Sequence, residues 1–475
     1  MIRTRFAPSP TGALHAGTVR TALFAWLSAR HDQGQFLLRI EDTDKSREVE
    51  GAIKNIVDSL KYLGLDWDEG PDKGGPHAPY LQSQRLDIYK EWAQKLVDKG
   101  RAYADPYTPE QLEGFRQTAK AQKKPFLFRE HRPDNPPAWD GSQPLRFKSE
   151  PKAYEWRDEV MGDLATGPEV VDDFIIIKSD SFPTYNFAHI IDDHLMGINL
   201  VVRSQEFISS MPIFLNLYEA LELKTPVFAT VPIVLAAEGN KKLSKREGAK
   251  QLLDYKKMGI LPEALMNALA TTGWNDGSEQ EIFSTEELIK KFDLAHVQKS
   301  SARFDEQRLL WMNGSYIREL PVEKLYELSK DFWPPVADSQ PEQYKQQVLG
   351  LIQERLKYLA EIPALTSFFF EDLPVDLRLI DDNKQLKNFN HIELKELLQQ
   401  ANSALEQIDF SPEKLTACLN ELLEKTSQKP GVLFSLIRIA TTWAPASPGL
   451  AKTLSLLGKD KSLQRIKTAI TALAG

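Results

Sequence analysis

Residues 2–6 read as a short strand, which the turn chemistry of Pro8-Ser-Pro-Thr-Gly12 breaks before an apolar-periodic helix from about Thr18 to Arg30. Gln35-Phe-Leu-Leu-Arg-Ile40 is an almost continuous apolar run of the kind found in a buried parallel strand, and it ends in the acidic Glu41-Asp-Thr-Asp44. A helix follows, with Val49, Ile53, Ile56, Val57, Leu60 and Leu63 on one face. This β-α-β-α order predicts an open α/β sheet with ligands beyond the carboxyl ends of its strands.

From about Tyr80 a long helix (Leu86, Tyr89, Trp92, Leu96) leads into Pro106–Pro151, which is proline-bearing and without a clear period. This stretch reads as an insertion interrupting the sheet domain, with Arg132–Pro137 as a loop. Strand-like runs at Phe174–Lys178, Asn199–Val202 and Val227–Leu235 are expected to complete the sheet. Beyond Leu243 the spacing is helical: Leu261–Thr271, Thr285–Phe292, Val322–Asp331, Tyr344–Ile362, His391–Ile408, Pro412–Lys425, Gly431–Thr442 and Lys461–Ala474. No strand alternation of comparable strength follows residue 330, so the C-terminal third is expected to be all-helical.

Composition narrows the class. A length of 475 residues suits about three domains. The 42% hydrophobic residues and nine tryptophans supply several cores, which excludes disorder as the dominant state. Cys418 is the single cysteine, so a disulfide framework and a zinc site built on two or more thiolates are excluded and a reducing compartment is indicated. Within Leu415–Leu423 it reads as a small apolar helix residue. No signal-peptide stretch opens the chain and no run of about 18 apolar residues occurs, so a cytoplasmic location without a membrane partner is expected.

With 59 Lys+Arg against 67 Asp+Glu, the net charge of −8 excludes a generally basic nucleic-acid coat. Yet Lys241–Lys257 holds seven basic residues against two acidic, and residues 431–475 hold six against one. A polyanion would meet these local patches, with affinity falling as salt rises.

Two strings carry chemistry. In Arg5-Phe-Ala-Pro-Ser-Pro-Thr-Gly12-Ala-Leu-His15-Ala-Gly17-Thr18, a strand and tight turn open a helix. Gly17 lets a nucleotide approach the helix N-terminus, and His15 can donate to a phosphoryl oxygen. In Lys241-Lys-Leu-Ser-Lys-Arg246, Lys242 and Lys245 suit a loop that neutralises charge on a triphosphate. Taken singly, each is better explained as an ordinary strand–helix turn with a capping histidine and as a solvated basic turn. The pair carries the signal.

Together they resemble the paired His-Ile-Gly-His and Lys-Met-Ser-Lys-Ser signatures of class I aminoacyl-tRNA synthetases, here His15-Ala-Gly-Thr18 and Lys242-Leu-Ser-Lys-Arg246. Arg5-x-Ala-Pro-Ser-Pro-Thr-Gly12 with Arg39-Ile-Glu-Asp-Thr-Asp44 narrows the resemblance to the glutamyl/glutaminyl branch. Asp180–Ala188, Asp192-Asp-His194, Gly273-Trp274 and Trp311–Arg318 follow in that family's order, and across essentially its whole length the chain is similar to the bacterial glutamyl enzymes. Ala16 and Thr18 depart from the first signature while His15 and Gly17 remain; Leu243 replaces methionine.

The resemblance implies a Rossmann-like class I catalytic domain of α/β class, with an inserted acceptor-binding domain and a helical anticodon-binding region. Its boundaries would be 1–80 and 186–240 for the catalytic halves, 81–185 for the insertion, 241–322 for a stem-contact domain and 323–475 for the helical region, a further division of which near residue 370 stays open. It implies ATP-dependent activation of L-glutamate and transfer to tRNA(Glu), with Mg²⁺ accompanying ATP. Arg5 and Arg203 would recognise glutamate, with Ala7, Ser9, Tyr185 and His189 finishing the pocket and Glu41 holding the ammonium. His189 falls where related enzymes vary between amide and apolar residues. His15, Gly17, Glu206 and Lys245 would serve ATP, and Arg47, Arg355 and Arg438 would contact tRNA. The inserted segment lacks the cysteines with which some members bind zinc, so no structural zinc is expected, nor a protein-held metal; a monomer is expected.

Asp192-Asp193-His194, read as adjacent residues of a strand, point to opposite faces, which favours hydrogen bonds bracing the site over a shared metal ion. Rival functions are a non-discriminating enzyme that also charges tRNA(Gln), a nucleotidyltransferase, and a non-catalytic RNA-binding protein. Residues 323–475 count against the second, and the set Arg5, His15, Glu41 and Lys245 against the third.

Overall fold

The computed structural model describes residues 1–474 except 237, 240 and 244–249. It divides into two compact units, one of residues 1–256 with 262–309 and the other of 257–261 with 310–475.

The first unit opens with β1 (Arg3–Phe6), α1 (Ala16–His31) and β2 (Gln35–Leu38), in which β1 and β2 pair in parallel with Arg5 opposite Leu37. Helix α1 is buried on nearly every face through Val19, Ala22, Leu23, Phe24 and Leu27, as expected of a helix that is apolar around its circumference. Then come α2 (Ala52–Tyr62), α3 (Leu86–Asp98), β3 (Ala102–Ala104), α4 (Pro109–Ala121), β4 (Leu145–Phe147), β5 (Tyr154–Asp158), β6 (Gly162–Thr166) and β7 (Phe174–Ile177). They are followed by α5 (Tyr185–Leu195), β8 (Leu200–Ser204), α6 (Met211–Ala220), β9 (Val227–Val231) and β10 (Val234–Leu235). Parallel β8 and β9 share a sheet with the β5–β6 hairpin, and the Asn199 N–H donates to the Arg3 carbonyl, so β8 runs beside β1.

In this unit four expectations change. The stretch 106–151 is not aperiodic throughout, because α4 occupies 109–121. None of its residues is buried, so no apolar stripe betrays it, and its signal is the capping box of Thr108 with Gln111. Strand β7 does not join the β8–β9 sheet; it pairs antiparallel with β4 in a separate three-stranded sheet with β3. The run 227–235 is two strands, because Pro232 cannot donate to a ladder. Asp192-Asp193-His194 lies on α5, not on a strand.

The second unit is helical from Val322–Leu328 to Lys459–Ala472. The expected helix over 344–362 is interrupted: Glu342–Ile352 ends in a 3-10 turn at Gln353–Arg355, Leu356 is extended, and Ile362–Phe370 starts anew at a proline-bearing first turn. One apolar cluster gathers Phe368, Phe369 and Val348, and another gathers Leu398, Leu415, Leu436 and Ile466, with Cys418 buried in it.

Candidate active site

The carboxyl ends of β1 and β2 run side by side, with the Arg39 N–H on the Phe6 carbonyl and the Glu41 N–H on the Pro8 carbonyl. Where they end, a cavity of about 340 Å³ opens. Its wall includes Arg5 in β1, Ala7 and Ser9 after it, Glu41 after β2, Tyr185 at the start of α5, and Arg203, Glu206 and Lys242. His15 and Gly17, at the start of α1, complete it. The structure thus gathers onto one cavity residues spread over more than two hundred positions of sequence.

Arg203 is 4% exposed, lies over the rings of Phe207, Phe214 and Phe228, and has no partner for its Nε and Nη2 among the described residues. Arg5 is also buried but is held: its Nε donates to Asp193 Oδ1 at 3.0 Å. Arg39, fully buried, donates to the same oxygen at 2.8 Å and to Glu41 Oε1 at 3.0 Å. Burial works against the Asp193 carboxylate, but the Arg5 and Arg39 guanidiniums outweigh it and hold its pKa well below the ordinary value. Asp192 accepts from Arg85 at 2.7 Å, Gln82 at 2.7 Å and Tyr89 at 2.8 Å. Asp193 therefore braces Arg5 and Arg39, and Asp192 braces Arg85, Gln82 and Tyr89, around the site.

Glu41 is pushed up to about 6 by burial, which outweighs the pull of Arg39 and Arg5. An ammonium ligand needs its carboxylate, so protonation below that value opposes binding. We expect binding of such a ligand to weaken about tenfold per pH unit below 6 and to level off above it. His189, pulled down to about 3 by burial and by Arg203, stays neutral across that range. Glu41→Gln should be weaker and lose this acidic limb; a limb that persists would belong to another group.

His189 is fully buried and does not line the cavity. Its ring stacks on Tyr185 at 4.6 Å, and its Nδ1 is 2.8 Å from the Tyr185 carbonyl, which can only accept, so the ring carries its proton there. It supports the pocket from behind Tyr185.

His15 is the N-cap residue of α1, and its Nε2 is 3.2 Å from Thr18 Oγ1. A Cβ on Gly17 would lie 3.3 Å from the His15 ring, so a side chain there would crowd the imidazole. Lys242 Nζ meets Glu206 Oε2 at 2.5 Å. Lys245 lies outside the described residues. Arg47 stands apart from the cavity, exposed and paired with Asp44 at 2.6 Å.

In the second unit Arg355 and Arg438 line one concavity of about 520 Å³ with Phe434 and Ser435. Arg355 is exposed, while Arg438 donates to the Ala444 and Pro445 carbonyls at 3.2 and 3.3 Å. Burial, helped by Arg355, lowers the Arg438 pKa.

Sequence reasoning missed Arg39, Arg85, Gln82 and Tyr89, which touch Asp192 or Asp193. Arg39 stood inside a quoted motif as its first residue, but only the fold shows what it meets.

The strand-end cavity combines a glycine-backed histidine with a second, lysine-bearing segment, the arrangement expected of the class I tRNA synthetases. Residues 1–311 match the family described as tRNA synthetases class I (E and Q), catalytic domain, and residues 324–470 match an anticodon binding domain. Among proteins similar to this chain is the glutamate–tRNA ligase of Dehalococcoides mccartyi, 40% identical over 100% of this chain and 98% of that one. Another is the glutamate–tRNA ligase of Clostridium botulinum, 40% identical over 99% and 98%. A crystal structure of a glutamate tRNA ligase from Elizabethkingia meningosepticum, in complex with its amino acid, matches with a TM-score of 0.88 at 32% identity over 99% of both chains. The chain belongs to the glutamate–tRNA ligase family.

Proposed function

We propose that this chain is a glutamate–tRNA ligase, which joins L-glutamate to the terminal adenosine of tRNA(Glu) through glutamyl-adenylate. The observation that carries the reading is the charge pattern of the cavity: beside the Glu206–Lys242 ion pair, Arg5 and Arg203, whose Nε and Nη2 have no partner among the described residues, supply two fixed cations, and Glu41 supplies one anion. That is the complement of an amino acid with two carboxylates and one ammonium, and a planar guanidinium grips a carboxylate with two parallel bonds.

Activation needs no general base, because the α-carboxylate is already ionised. Its oxygen forms a bond to the α-phosphorus of ATP as the bond from that phosphorus to the leaving pyrophosphate breaks. Mg²⁺ arrives with the ATP phosphates as part of the substrate. In this reading His15 and Lys245 stabilise phosphate charge, Gly17 leaves room for the nucleotide, and Ala7, Ser9, Tyr185 and His189 shape the glutamate pocket. Glu206 serves the adenosine side and Lys242 the phosphate side, so their mutual ion pair would separate on ATP binding. The adenylate carbonyl then passes to a ribose hydroxyl of tRNA, releasing AMP. One pyrophosphate should appear for each glutamyl-tRNA formed; pyrophosphate release without charging would contradict the second step.

Arg355 and Arg438 would read anticodon bases, a reading supported by their shared concavity and by the suitability of arginine for base edges and stacking. Arg47 would contact the tRNA backbone. If Arg355 discriminates at the third anticodon base, the parent charges glutamate tRNA transcripts over glutamine tRNA transcripts, and Arg355→Gln narrows that preference by about tenfold. Equal charging of both by the parent would exclude that role. We place the enzyme in the cytoplasm as a monomer; no helix among the described residues is long and apolar enough to cross a membrane.

A further inference from the structure

Arg20 lies on α1 one turn beyond Gly17 and is 1% exposed. No carboxylate offsets its charge among the described residues, and burial pulls its pKa down to about 10. Instead its fork spans two main-chain carbonyls: Nη1 donates to Thr272 at 2.6 Å, and Nη2 donates to Pro232. The guanidinium also sits 5.2 Å from the ring centre of Phe24. Gly273, at φ +91°, keeps the space clear, since a Cβ there would lie 2.9 Å from Nη1.

Pro232 joins β9 to β10, and β10 begins the turn that returns to the cavity with Lys242 and Leu243. The Leu243 N–H donates to the Val234 carbonyl at 2.8 Å, and the Ala236 N–H to the Lys241 carbonyl at 3.0 Å. Pro232, Val234, Lys242 and Leu243 line the cavity together with His15, Gly17 and Thr18. Arg20 is therefore a direct link between the helix that presents the histidine segment and the turn that presents the lysine segment.

A buried cation without a counter-charge is costly, and apolar residues of similar volume replace such groups without loss of packing. Packing alone does not account for an arginine here. A lysine ammonium is a single point donor, whereas the guanidinium fork reaches two carbonyls on different segments at once.

We propose that Arg20 is a positioning residue that fixes the separation between the two halves of the nucleotide site and thereby governs the use of ATP. The proposal rests on the ligase reading above. Arg20→Met and Arg20→Lys should be compared with the parent in glutamate charging of tRNA, varying ATP and glutamate separately, with circular dichroism to establish folding. Arg20→Met should lose about tenfold or more in kcat/KM for ATP while its KM for glutamate stays within about twofold, and Arg20→Lys should fall between. Folded Arg20→Met with unchanged ATP parameters, or with ATP and glutamate parameters falling together, would overturn the proposal. If Arg20→Met does not fold, Arg20→Lys decides it by the same ATP-selective loss or its absence. A parent that charges no glutamate refutes the ligase reading instead, and equilibrium dialysis of ATP against the three proteins then tests Arg20 alone: weaker binding by the variants supports it, and equal binding overturns it.

Discussion

Arg203→Met should lower kcat/KM for glutamate about 10²–10³-fold, leave the KM for ATP nearly unchanged, and cost the protein no stability. The three parts follow from one observation: among the described residues, buried Arg203 has no carboxylate partner, and its Nε and Nη2 have no hydrogen-bond partner. A buried cation in that condition weakens the free protein and gains its compensation from an anionic ligand. Removing one member of a desolvated, hydrogen-bonded charge pair costs about 2–5 kcal/mol of binding, and the expected loss falls in the middle of that span. Methionine fills much of the volume beside Phe207, Phe214 and Phe228, so the thermal midpoint should hold or rise. Steady-state charging kinetics and a melting curve check both halves. Lost stability with unchanged glutamate kinetics would make Arg203 a structural residue.

Asp193→Asn should do the reverse and damage the fold first. One Asp193 oxygen accepts from both Arg5 and Arg39, and all three side chains are buried. Neutralising it leaves two guanidiniums short of charge, and breaking a buried ion pair in this way costs about 3–5 kcal/mol. The unfolding transition of the first unit should fall by on the order of 5–10 °C. Its carboxyl is held below the ordinary value, so the stability it contributes is complete above about pH 4 and is lost as pH falls through the folded pKa. Asp44→Ala offers the contrast: its pair with Arg47 is exposed and screened by solvent, so the transition should barely move. Calorimetry of the two variants would separate them.

These two predictions show where the sequence was legible and where it was not. The cavity-lining residues sit at strand ends and helix starts, where turn chemistry pointed to His15 and Gly17 and the family resemblance to Arg5 and Glu41 before their neighbours were known. Their supports could not. Arg39, Arg85 and Tyr89 meet Asp192 and Asp193 across roughly one hundred or more positions, and no local period encodes such contacts. Arg20 is a clear case: within an apolar helix it looks like a solvent-facing interruption, whereas the fold buries it against two carbonyls. Helix α4 was hidden for the opposite reason, since a helix that buries nothing shows only its cap. Strand β7 was visible as a strand, yet three consecutive isoleucines carry no mark of which sheet they join.

The ligase reading predicts which amino acid reaches tRNA, and that is directly measurable. Purified protein should be given Mg²⁺-ATP, a transcript of glutamate tRNA and, in separate reactions, each labelled amino acid. Acid-precipitable tRNA carrying glutamate, and none of the others at comparable rate, is the predicted result. Charging with a different amino acid and none with glutamate would contradict the account.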